Sequence, residues 1–216
     1  MDKSTVKRKI IETGVIPVIR ASSRDEAMRA VEAIRNGGIE IFEITMTVPG
    51  AVKLIETLAA RFQNEALIGA GTVLNVTTAR DCINAGAQFV ISPALDTKTI
   101  AFCKEKEILV MPGALTPTEI VTADAAGADF VKIFPAGAMG GASYIKSLKA
   151  PLPHIEMIPT GGVSLANAAD FIKAGASAVG VGAELVDLKS LREGNEKLLT
   201  EKARQYLETV AQAREI

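Results

Sequence analysis

The chain has 216 residues, of which 48% are hydrophobic, and its formal net charge is −1. This hydrophobic content predicts a folded globular protein, and the nearly balanced charge argues against a nucleic-acid-binding surface. No stretch approaches the roughly 18 consecutive apolar residues of a membrane span, and the N-terminus lacks the apolar segment of a signal peptide. We therefore expect a cytoplasmic protein with a single domain over residues 1–216.

Cysteine and histidine are scarce. Cys82 and Cys103 lie in segments with a helical pattern, and the chain contains one histidine. In a reducing compartment two free thiols are the expectation rather than a disulfide. No His/Cys constellation with metal-ligand spacing is present, so we expect neither a metal site nor a cofactor.

The predicted elements begin with a short amphipathic helix and then repeat along the chain. Short β-rich runs recur a little over 20 residues apart, a spacing that accommodates a strand, a helix and two short loops. Three runs follow the similar phrases "AGAQ", "AGAD" and "AGAS", whose glycine is typical of a helix C-terminus. The runs begin near Val15, Ile39, Leu67, Gln88, Ile108, Asp129, Ile155 and Ser177.

Helix starts carry capping signals. Side chains of Ser, Thr and Asp accept hydrogen bonds from the first free N–H groups of a helix, and a Glu three residues later can complete a capping box. The expected N-caps are Ser23, Asp96, Thr116 and Ser164, with Glu26 and Glu119 completing two boxes and Pro117 at the first helical position.

Eight strand–helix units of this length predict an α/β protein with a parallel sheet covered by helices. Equal units that close on themselves form a TIM (β/α)8 barrel, here with a short N-terminal helix. The alternative is an open doubly wound sheet, which usually has fewer strands and a G-x-G-x-x-G first turn. The first turn here reads "VIRASSRDE" and contains no glycine.

Polar residues interrupt the apolar strands near their carboxyl ends, where TIM barrels carry their active sites. In "DFVKIF" the alternation of a strand places Lys132 on one face with Phe130 and Phe134. In "IEIFEIT" it places Glu43 on one face with Ile39, Ile41 and Thr45. The same reading places Arg20 with Ile16 and Val18, Thr72 with Ile68 and Ala70, and Thr160 at the end of the seventh strand.

Each of these side chains has an ordinary structural interpretation, such as an ion pair or a lysine that extends to the rim. A buried lysine and a buried glutamate both lose hydration, however, and their pairing rarely makes a net contribution to stability. An apolar site favours the neutral amine of a lysine, which attacks ketones to form a Schiff base. Lys132 is therefore a candidate nucleophile, Glu43 a candidate general acid/base, and Arg20 a candidate partner for a substrate carboxylate.

Glycine-rich loops follow the last two strands. "PTGGVSLAN" contains Gly161 and Gly162, and "GVGAELV" contains Gly182 and Ala183. In TIM barrels these two loops often bind phosphate through main-chain N–H groups. They are candidates for an anion site, although tight turns alone would also explain the glycines.

The ordered set "FEIT", "TVPGA", "IGAGTVLN", "FVISPALD", "MPGALTPTE", "FVKIFPA" and "PTGGVSLAN" resembles the family of 2-keto-3-deoxy-6-phosphogluconate aldolases and 4-hydroxy-2-oxoglutarate aldolases. The resemblance covers nearly the whole chain. It implies a homotrimeric TIM barrel, a small-molecule keto acid substrate, Entner–Doudoroff-type carbohydrate metabolism, and metal-free class I cleavage that releases pyruvate.

The resemblance also implies residue roles. Lys132 corresponds to the Schiff-base lysine and Glu43 to the general acid/base. Thr72 helps to hold pyruvate, Pro93 is a further substrate-binding position, and Thr160 lines the aldehyde side, where it bears on stereoselectivity. The distal site falls on Gly161, Gly162, Gly182 and Ala183.

Two positions differ from the pattern of many members. Thr47 stands where some members carry an arginine for the substrate carboxylate, and we expect Arg20 to take that role. Ala183 stands where many members carry a serine that binds phosphate. Two other functions remain open on the same fold, a metal-dependent aldolase or phosphosugar isomerase and a non-catalytic binding or assembly protein.

Overall fold

Eight parallel barrel strands form the centre of the structure, a computed structural model that describes residues 1–215. The fifth barrel strand is divided into two short segments, β5 and β6, by Pro112, which has no N–H to donate to the ladder. The strands are β1 (Val15–Ile19), β2 (Ile41–Thr45), β3 (Leu67–Gly71), β4 (Phe89–Ile91), β5 (Leu109–Met111), β6 (Gly113–Ala114), β7 (Val131–Ile133), β8 (Met157–Pro159) and β9 (Val179–Val181).

The strand pairing closes the ring. Hydrogen-bonded neighbours run in the order β5-β4-β3-β2-β1-β9 on one side and β6-β7-β8 on the other. Because β5 and β6 are consecutive segments of one strand, the two sides join there. The second junction is a parallel bridge between Thr160 and Gly180, which links β8 to β9. The TIM-barrel prediction is confirmed, and the alternative of an open sheet with two free edges is wrong.

Helices cover the outside of the ring. The main helices are α1 (Lys3–Thr13), α2 (Arg24–Arg35), α3 (Ala51–Phe62), α4 (Val76–Asn84), α5 (Thr97–Glu105), α6 (Pro117–Ala125), α7 (Ala142–Lys149), α8 (Ala168–Lys173), α9 (Leu188–Arg192) and α10 (Glu196–Arg214), with a short 3-10 helix at Gly137–Met139. None of the helices within residues 1–215 is both long enough and apolar enough to cross a membrane.

Two apolar cores follow from the alternation of the strands. The larger core lies between the sheet and the helices. The smaller core fills the barrel, where Ile16, Ile41, Leu67 and Phe130 pack with Ile10 of α1. Helix α1 therefore contributes to the core inside the ring. Ile39 belongs to the outer core, so its predicted place on the inward face with Glu43 is wrong. It precedes the first residue of β2, where strand alternation does not yet apply.

The capping predictions are confirmed at three of four helix starts. Ser23, Asp96 and Thr116 accept hydrogen bonds from N–H groups of α2, α5 and α6. Ser164 does not cap α8, which begins three residues later than the signal predicts. The Asn167 side chain accepts a hydrogen bond from the Ser164 N–H (2.8 Å), which stabilises a turn in place of the first helical residues.

The second predicted capping box forms, whereas the first does not. Thr116 and Glu119 exchange the two expected hydrogen bonds at the start of α6. At the start of α2 the Glu26 carboxylate instead accepts from the N–H of Ser22 (2.7 Å) and pairs with Arg192 (2.5 Å). Glu26 therefore links α2 to α9 instead of capping its own helix.

Both cysteines are free and buried, as predicted. Burial raises the pKa of the Cys82 thiol to about 11 and that of the Cys103 thiol to about 12. A thiol with such a pKa is protonated at neutral pH and is a poor nucleophile, so these residues act in packing.

Candidate active site

Lys132 and Glu43 meet across the interior of the barrel. Lys132 is the central residue of β7 and Glu43 the central residue of β2, on the opposite side of the ring. The Lys132 Nζ atom lies 3.3 Å from Glu43 Oε1. Only 4% of Lys132 and 1% of Glu43 is exposed to solvent. The predicted inward orientation of both side chains is confirmed, and the structure brings them into direct contact.

The surroundings of the lysine are largely apolar. The Phe134 ring centroid lies 5.6 Å from Lys132 Nζ, within the range of a cation–π contact. Phe130, which is two residues before Lys132 on the same face, is buried in the interior core. The Lys132 amine is therefore enclosed in the barrel with one carboxylate and one aromatic ring as its identified neighbours.

A cavity of about 300 Å³ opens at the carboxyl ends of the strands, and neither Lys132 nor Glu43 is among its lining residues. It is lined by Val18, Arg20, Phe134, Thr160, Gly161, Gly162, Val163, Gly182, Ala183 and Glu184. Six residues predicted from separate strands and loops therefore share one cavity. A second cavity of about 380 Å³ adjoins it and shares Arg20, Gly182 and Ala183.

The two glycine-rich loops present main-chain donors at this cavity. Gly161 and Gly162 have φ values of 86° and 77°, a left-handed conformation that favours glycine. The Asn167 side-chain amide donates to the Gly162 carbonyl (2.9 Å) and holds the loop. Within residues 1–215, no acceptor takes a hydrogen bond from the N–H of Gly162 or Ala183. These groups are available to a ligand.

Arg20 and Thr47 differ in their freedom to bind a ligand. Arg20 follows β1, is exposed, and forms no ion pair with a carboxylate in the part of the chain that the structure describes. Its predicted face, shared with Val18, is confirmed by the cavity lining. The Thr47 hydroxyl lies 2.7 Å from that of Thr45, which donates in turn to the Ile19 carbonyl (3.0 Å). Thr47 thus helps to tie the ends of β1 and β2 together.

Thr72 was predicted to share a face with Ile68 and Ala70, and that face does not line the interior of the barrel. Ile68 and Ala70 pack outward against the helices, so strand alternation from them would also direct Thr72 away from the barrel. Thr72 follows the last residue of β3 and has a φ of 59°. Strand alternation does not apply to this left-handed conformation. It is partly buried at the carboxyl end of the strand.

Pro93 lies in the loop after β4 and is half-buried. The segment around it packs closely on β6, because Gly113 has no side chain there. A Cβ atom at Gly113 would come within 2.7 Å of the Ala94 nitrogen and closer still to the Pro93 carbonyl group. The glycine thus lets the loop that carries Pro93 approach the barrel mouth.

Known proteins match this chain in sequence and in fold. The family model "KDPG and KHG aldolase" matches residues 6–201. The chain belongs to this family. KDPG is 2-keto-3-deoxy-6-phosphogluconate, and KHG is 2-keto-4-hydroxyglutarate, another name for 4-hydroxy-2-oxoglutarate.

Individual relatives of this aldolase cover most of its length. It is 33% identical to the KHG/KDPG aldolase of Escherichia coli K12 over 94% of this chain and 96% of that protein. It is 36% identical to the 2-dehydro-3-deoxy-6-phosphogalactonate aldolase of the same organism over 79% and 83%. The crystal structure of KDPG aldolase from Legionella pneumophila, with pyruvate captured as a covalent carbinolamine, superposes with a TM-score of 0.85 at 31% identity, covering 92% and 96% of the two chains.

Four further residues line the aldolase cavity but were not among the predicted site residues, namely Val18, Phe134, Val163 and Glu184. Phe134 was predicted on the face of Lys132 but not as a cavity wall, and its place two residues after the lysine, beyond the end of β7, could have indicated this role. Glu184 directly follows Ala183 in the sequence. It lines the same cavity as Ala183, because the chain turns at residues 182–186 before α9 begins.

Proposed function

We propose that this aldolase cleaves a 2-keto-3-deoxy-6-phospho sugar acid, and also 4-hydroxy-2-oxoglutarate, to pyruvate and an aldehyde through a Schiff base on Lys132. The observation that carries the proposal is the contact of 3.3 Å between Lys132 Nζ and Glu43 Oε1 inside the barrel. The aldehyde product would be glyceraldehyde 3-phosphate or glyoxylate, according to the substrate.

Imine formation uses the pair first. Glu43 takes a proton from the Lys132 ammonium, and the neutral amine attacks the C2 ketone of the substrate. The carboxyl group of Glu43 then supplies the proton with which the carbinolamine hydroxyl leaves as water. The product of these steps is a protonated imine, which is an electron sink next to C3.

Cleavage uses the same carboxylate in the opposite direction. Glu43 accepts the proton of the C4 hydroxyl, the C3–C4 bond breaks, and its electron pair moves into the imine to form an enamine. The aldehyde leaves. Glu43 returns the proton to C3, and water hydrolyses the pyruvyl imine to release pyruvate and free Lys132. No electrons are gained or lost overall, so the sequence of steps needs no redox partner.

The other site residues hold the two ends of the substrate. Arg20 binds the carboxylate in place of an arginine at position 47, and this assignment is supported by its lack of a carboxylate partner within the described chain. Thr72 helps to hold pyruvate, and Pro93 is a further substrate-binding residue. Thr160 faces the aldehyde, which is consistent with its place in the cavity lining.

The distal end of the substrate lies against the glycine-rich loops. Gly161, Gly162, Gly182 and Ala183 supply main-chain N–H groups at the mouth of the barrel, and such groups bind phosphate without a charged side chain. Ala183 provides no hydroxyl. We therefore expect weaker discrimination for phosphate and activity on the shorter, unphosphorylated substrate as well.

Borohydride trapping tests the proposal directly. Incubation with pyruvate and sodium borohydride should add one reduced pyruvyl group, which peptide mass spectrometry should locate on Lys132. The Lys132→Met variant should lose the adduct and the cleavage activity, whereas Lys146→Met, a change at an exposed lysine, should retain both. An adduct on another lysine, or no adduct at all, would contradict the proposed mechanism.

The general acid/base role of Glu43 has its own test. Glu43→Gln should lower kcat by about 10²–10⁴, the usual contribution of a positioned proton-transfer group. The exchange of pyruvate methyl protons with solvent deuterium, followed by NMR, should slow by a similar factor. Normal exchange in this variant would contradict the assignment.

The chain organisation is also part of the proposal. We propose that residues 1–216 act as one aldolase domain and assemble as a homotrimer in the cytoplasm. Light scattering after size-exclusion chromatography should give three times the chain mass of 22.7 kDa. A mass equal to one chain would contradict the trimer.

A further inference from the structure

Gly71 adjoins the candidate general acid/base across the β2–β3 ladder. The two strands are parallel, with Glu43 opposite Gly69 and Thr45 opposite Gly71. Glu43 leans along the ladder toward the carboxyl end of β3, where it reaches the space above Gly71. A Cβ atom at Gly71 would lie 2.6 Å from Glu43 Cδ and closer still to Cγ and Oε1. Real Cβ atoms essentially never approach other heavy atoms that closely.

The backbone conformation does not explain this glycine. Gly71 is within β3 and is absent from the residues with positive φ, so a side chain is compatible with its backbone. What excludes a side chain is the space already filled by the Glu43 carboxylate. Glycine weakens a strand interior, and in such a place it commonly marks the close approach of another group.

Gly69 is a matched comparison on the same strand and the same face. A Cβ atom there would meet the ring of Phe89, which belongs to the apolar core inside the barrel. The two inward glycines of "IGAGT" therefore accommodate different groups. Gly69 accommodates a packing residue, and Gly71 accommodates the carboxylate that contacts Lys132.

We propose that Gly71 is a positioning residue for the aldol reaction. Its missing side chain keeps the Glu43 carboxylate within proton-transfer distance of Lys132 and of the substrate atoms bonded to it. The inference rests on the proposed role of Glu43. Because a misplacement of about 1 Å can cost about 100-fold in rate, even alanine at this position should impair catalysis.

The test is a double-mutant cycle on the exchange of pyruvate methyl protons. Gly71→Ala should lower the exchange rate by about 100-fold in the wild-type background, with pyruvate still trapped on Lys132 by borohydride. In the Glu43→Gln background the same change should cost less than about threefold, because the misplaced group is already inactive. Gly69→Ala should cost the same factor in both backgrounds.

The outcomes separate this inference from the proposed function. If Glu43→Gln alone leaves exchange unchanged, the proposed role of Glu43 fails. If Glu43→Gln slows exchange but Gly71→Ala does not, or if Gly71→Ala costs the same in both backgrounds, the role of Gly71 fails and the role of Glu43 stands.

Folding offers a second readout. Glu43→Ala removes the Cγ, Cδ and Oε1 atoms that a new methyl group at position 71 would meet. If Gly71→Ala alone does not fold, the double variant Glu43→Ala/Gly71→Ala should fold. A double variant that also fails to fold would show that Glu43 is not the group that Gly71 accommodates, and would overturn the proposal.

Discussion

The contact between Lys132 and Glu43 is costly for stability and useful for chemistry. Both side chains are almost fully removed from water, and one ion pair of 3.3 Å seldom compensates the loss of hydration of two charges. Their inward orientation could be predicted from strand alternation alone. Their mutual distance could not, because Lys132 and Glu43 lie on opposite sides of the ring and 89 residues apart in the chain.

The stability of the lysine variant follows from this pair. Lys132→Met should fold but be less stable than wild type by about 3–5 kcal/mol, because it leaves the Glu43 carboxylate buried without a counterion. Lys132→Met/Glu43→Gln should recover most of that loss. Urea unfolding at pH 7 measures both variants. A double variant no more stable than the single one would show that the charge of Glu43 does not cause the loss.

The distal site gives a prediction about substrate preference. Ala183→Ser restores a hydroxyl at a position that lines the cavity beside free main-chain donors. A hydrogen bond to a charged group contributes about 1.5–3 kcal/mol, so kcat/KM for the phosphorylated six-carbon substrate should rise by roughly 10- to 100-fold. The value for 4-hydroxy-2-oxoglutarate should not change. Ala183→Gly adds no hydroxyl and serves as the control, and an equal gain on both substrates would exclude phosphate recognition by this loop.

Thr72 marks the limit of prediction at the level of single residues. Alternation predicts side-chain direction only while the backbone is extended, and the φ of 59° at Thr72 ends that regularity. Nothing in "GAGT" predicts a left-handed backbone conformation at the threonine, since glycine is the residue that usually adopts that conformation. The distance from Gly71 to Glu43 is equally invisible in the sequence, because it depends on the register of β2 and β3.

Most strands and helices could be predicted from local patterns. The strands begin within two residues of the expected positions, because apolar runs of this length between capping and stop signals have few alternatives. The failures occurred where a second polar partner competed with the local signal. Ser164 and Asn167 are both residue types that can cap a helix or stabilise a turn. In the structure the Asn167 side chain accepts a hydrogen bond from the Ser164 N–H and stabilises a turn. Glu26 lay in the correct position for a capping box, but it pairs with Arg192 of a helix that is distant in sequence.

The junction between β8 and β9 depends on a glycine in the same way as the junction between β2 and β3. A Cβ atom at Gly180 would lie 3.1 Å from both Thr160 Cβ and Thr160 Cγ2, and closer to the hydroxyl oxygen. Gly180→Ala should therefore destabilise the barrel by about 1–3 kcal/mol and shift Thr160. Urea unfolding measures the first effect. The second should appear as a changed ratio of kcat/KM between substrates that differ in configuration at C4, and an unchanged ratio would argue against a role of Thr160 at the aldehyde.

The link between α2 and α9 should make stability depend on pH. Burial acts to raise the pKa of Glu26, but the hydrogen bonds from Arg192 and Ser22 outweigh it, so the pKa is lowered in the folded protein. The stabilisation is then complete above the ordinary glutamate pKa of about 4.3 and is lost as the pH falls through the depressed folded value.

Glu26→Gln isolates this contribution. Its free energy of unfolding should be lower than that of wild type at pH 7, and the difference between the two proteins should narrow as the pH falls below about 4. Urea unfolding between pH 7 and pH 3 measures the two curves. A difference that stays constant over this range would show that the charge of Glu26 does not stabilise the link.

At the scale of the whole molecule, the candidate active site and the part of the interior core that includes α1 lie at opposite ends of the barrel. The cavity, the lysine and the glycine-rich loops lie at the carboxyl ends of the strands, as is usual for TIM barrels. At the other end, Val6 and Ile10 of α1 pack into the apolar core inside the ring. This division implies that a substitution in the interior core near α1 can lower the stability of the protein without disturbing the active site.

Ile10→Ala tests that separation. Ile10 is fully buried in the interior core with Ile16, Leu67 and Phe130. Its truncation should lower the free energy of unfolding by about 2–5 kcal/mol, the usual cost of a buried isoleucine-to-alanine change. At temperatures well below the unfolding transition, kcat and KM should equal those of wild type, since Lys132 and Glu43 are held by strands whose carboxyl ends are distant from α1. Arg8→Ala, on an exposed position of the same helix, should change stability by less than about 0.5 kcal/mol. If the Ile10→Ala protein is fully folded but has a lower kcat, the interior core near α1 also determines the geometry of the active site.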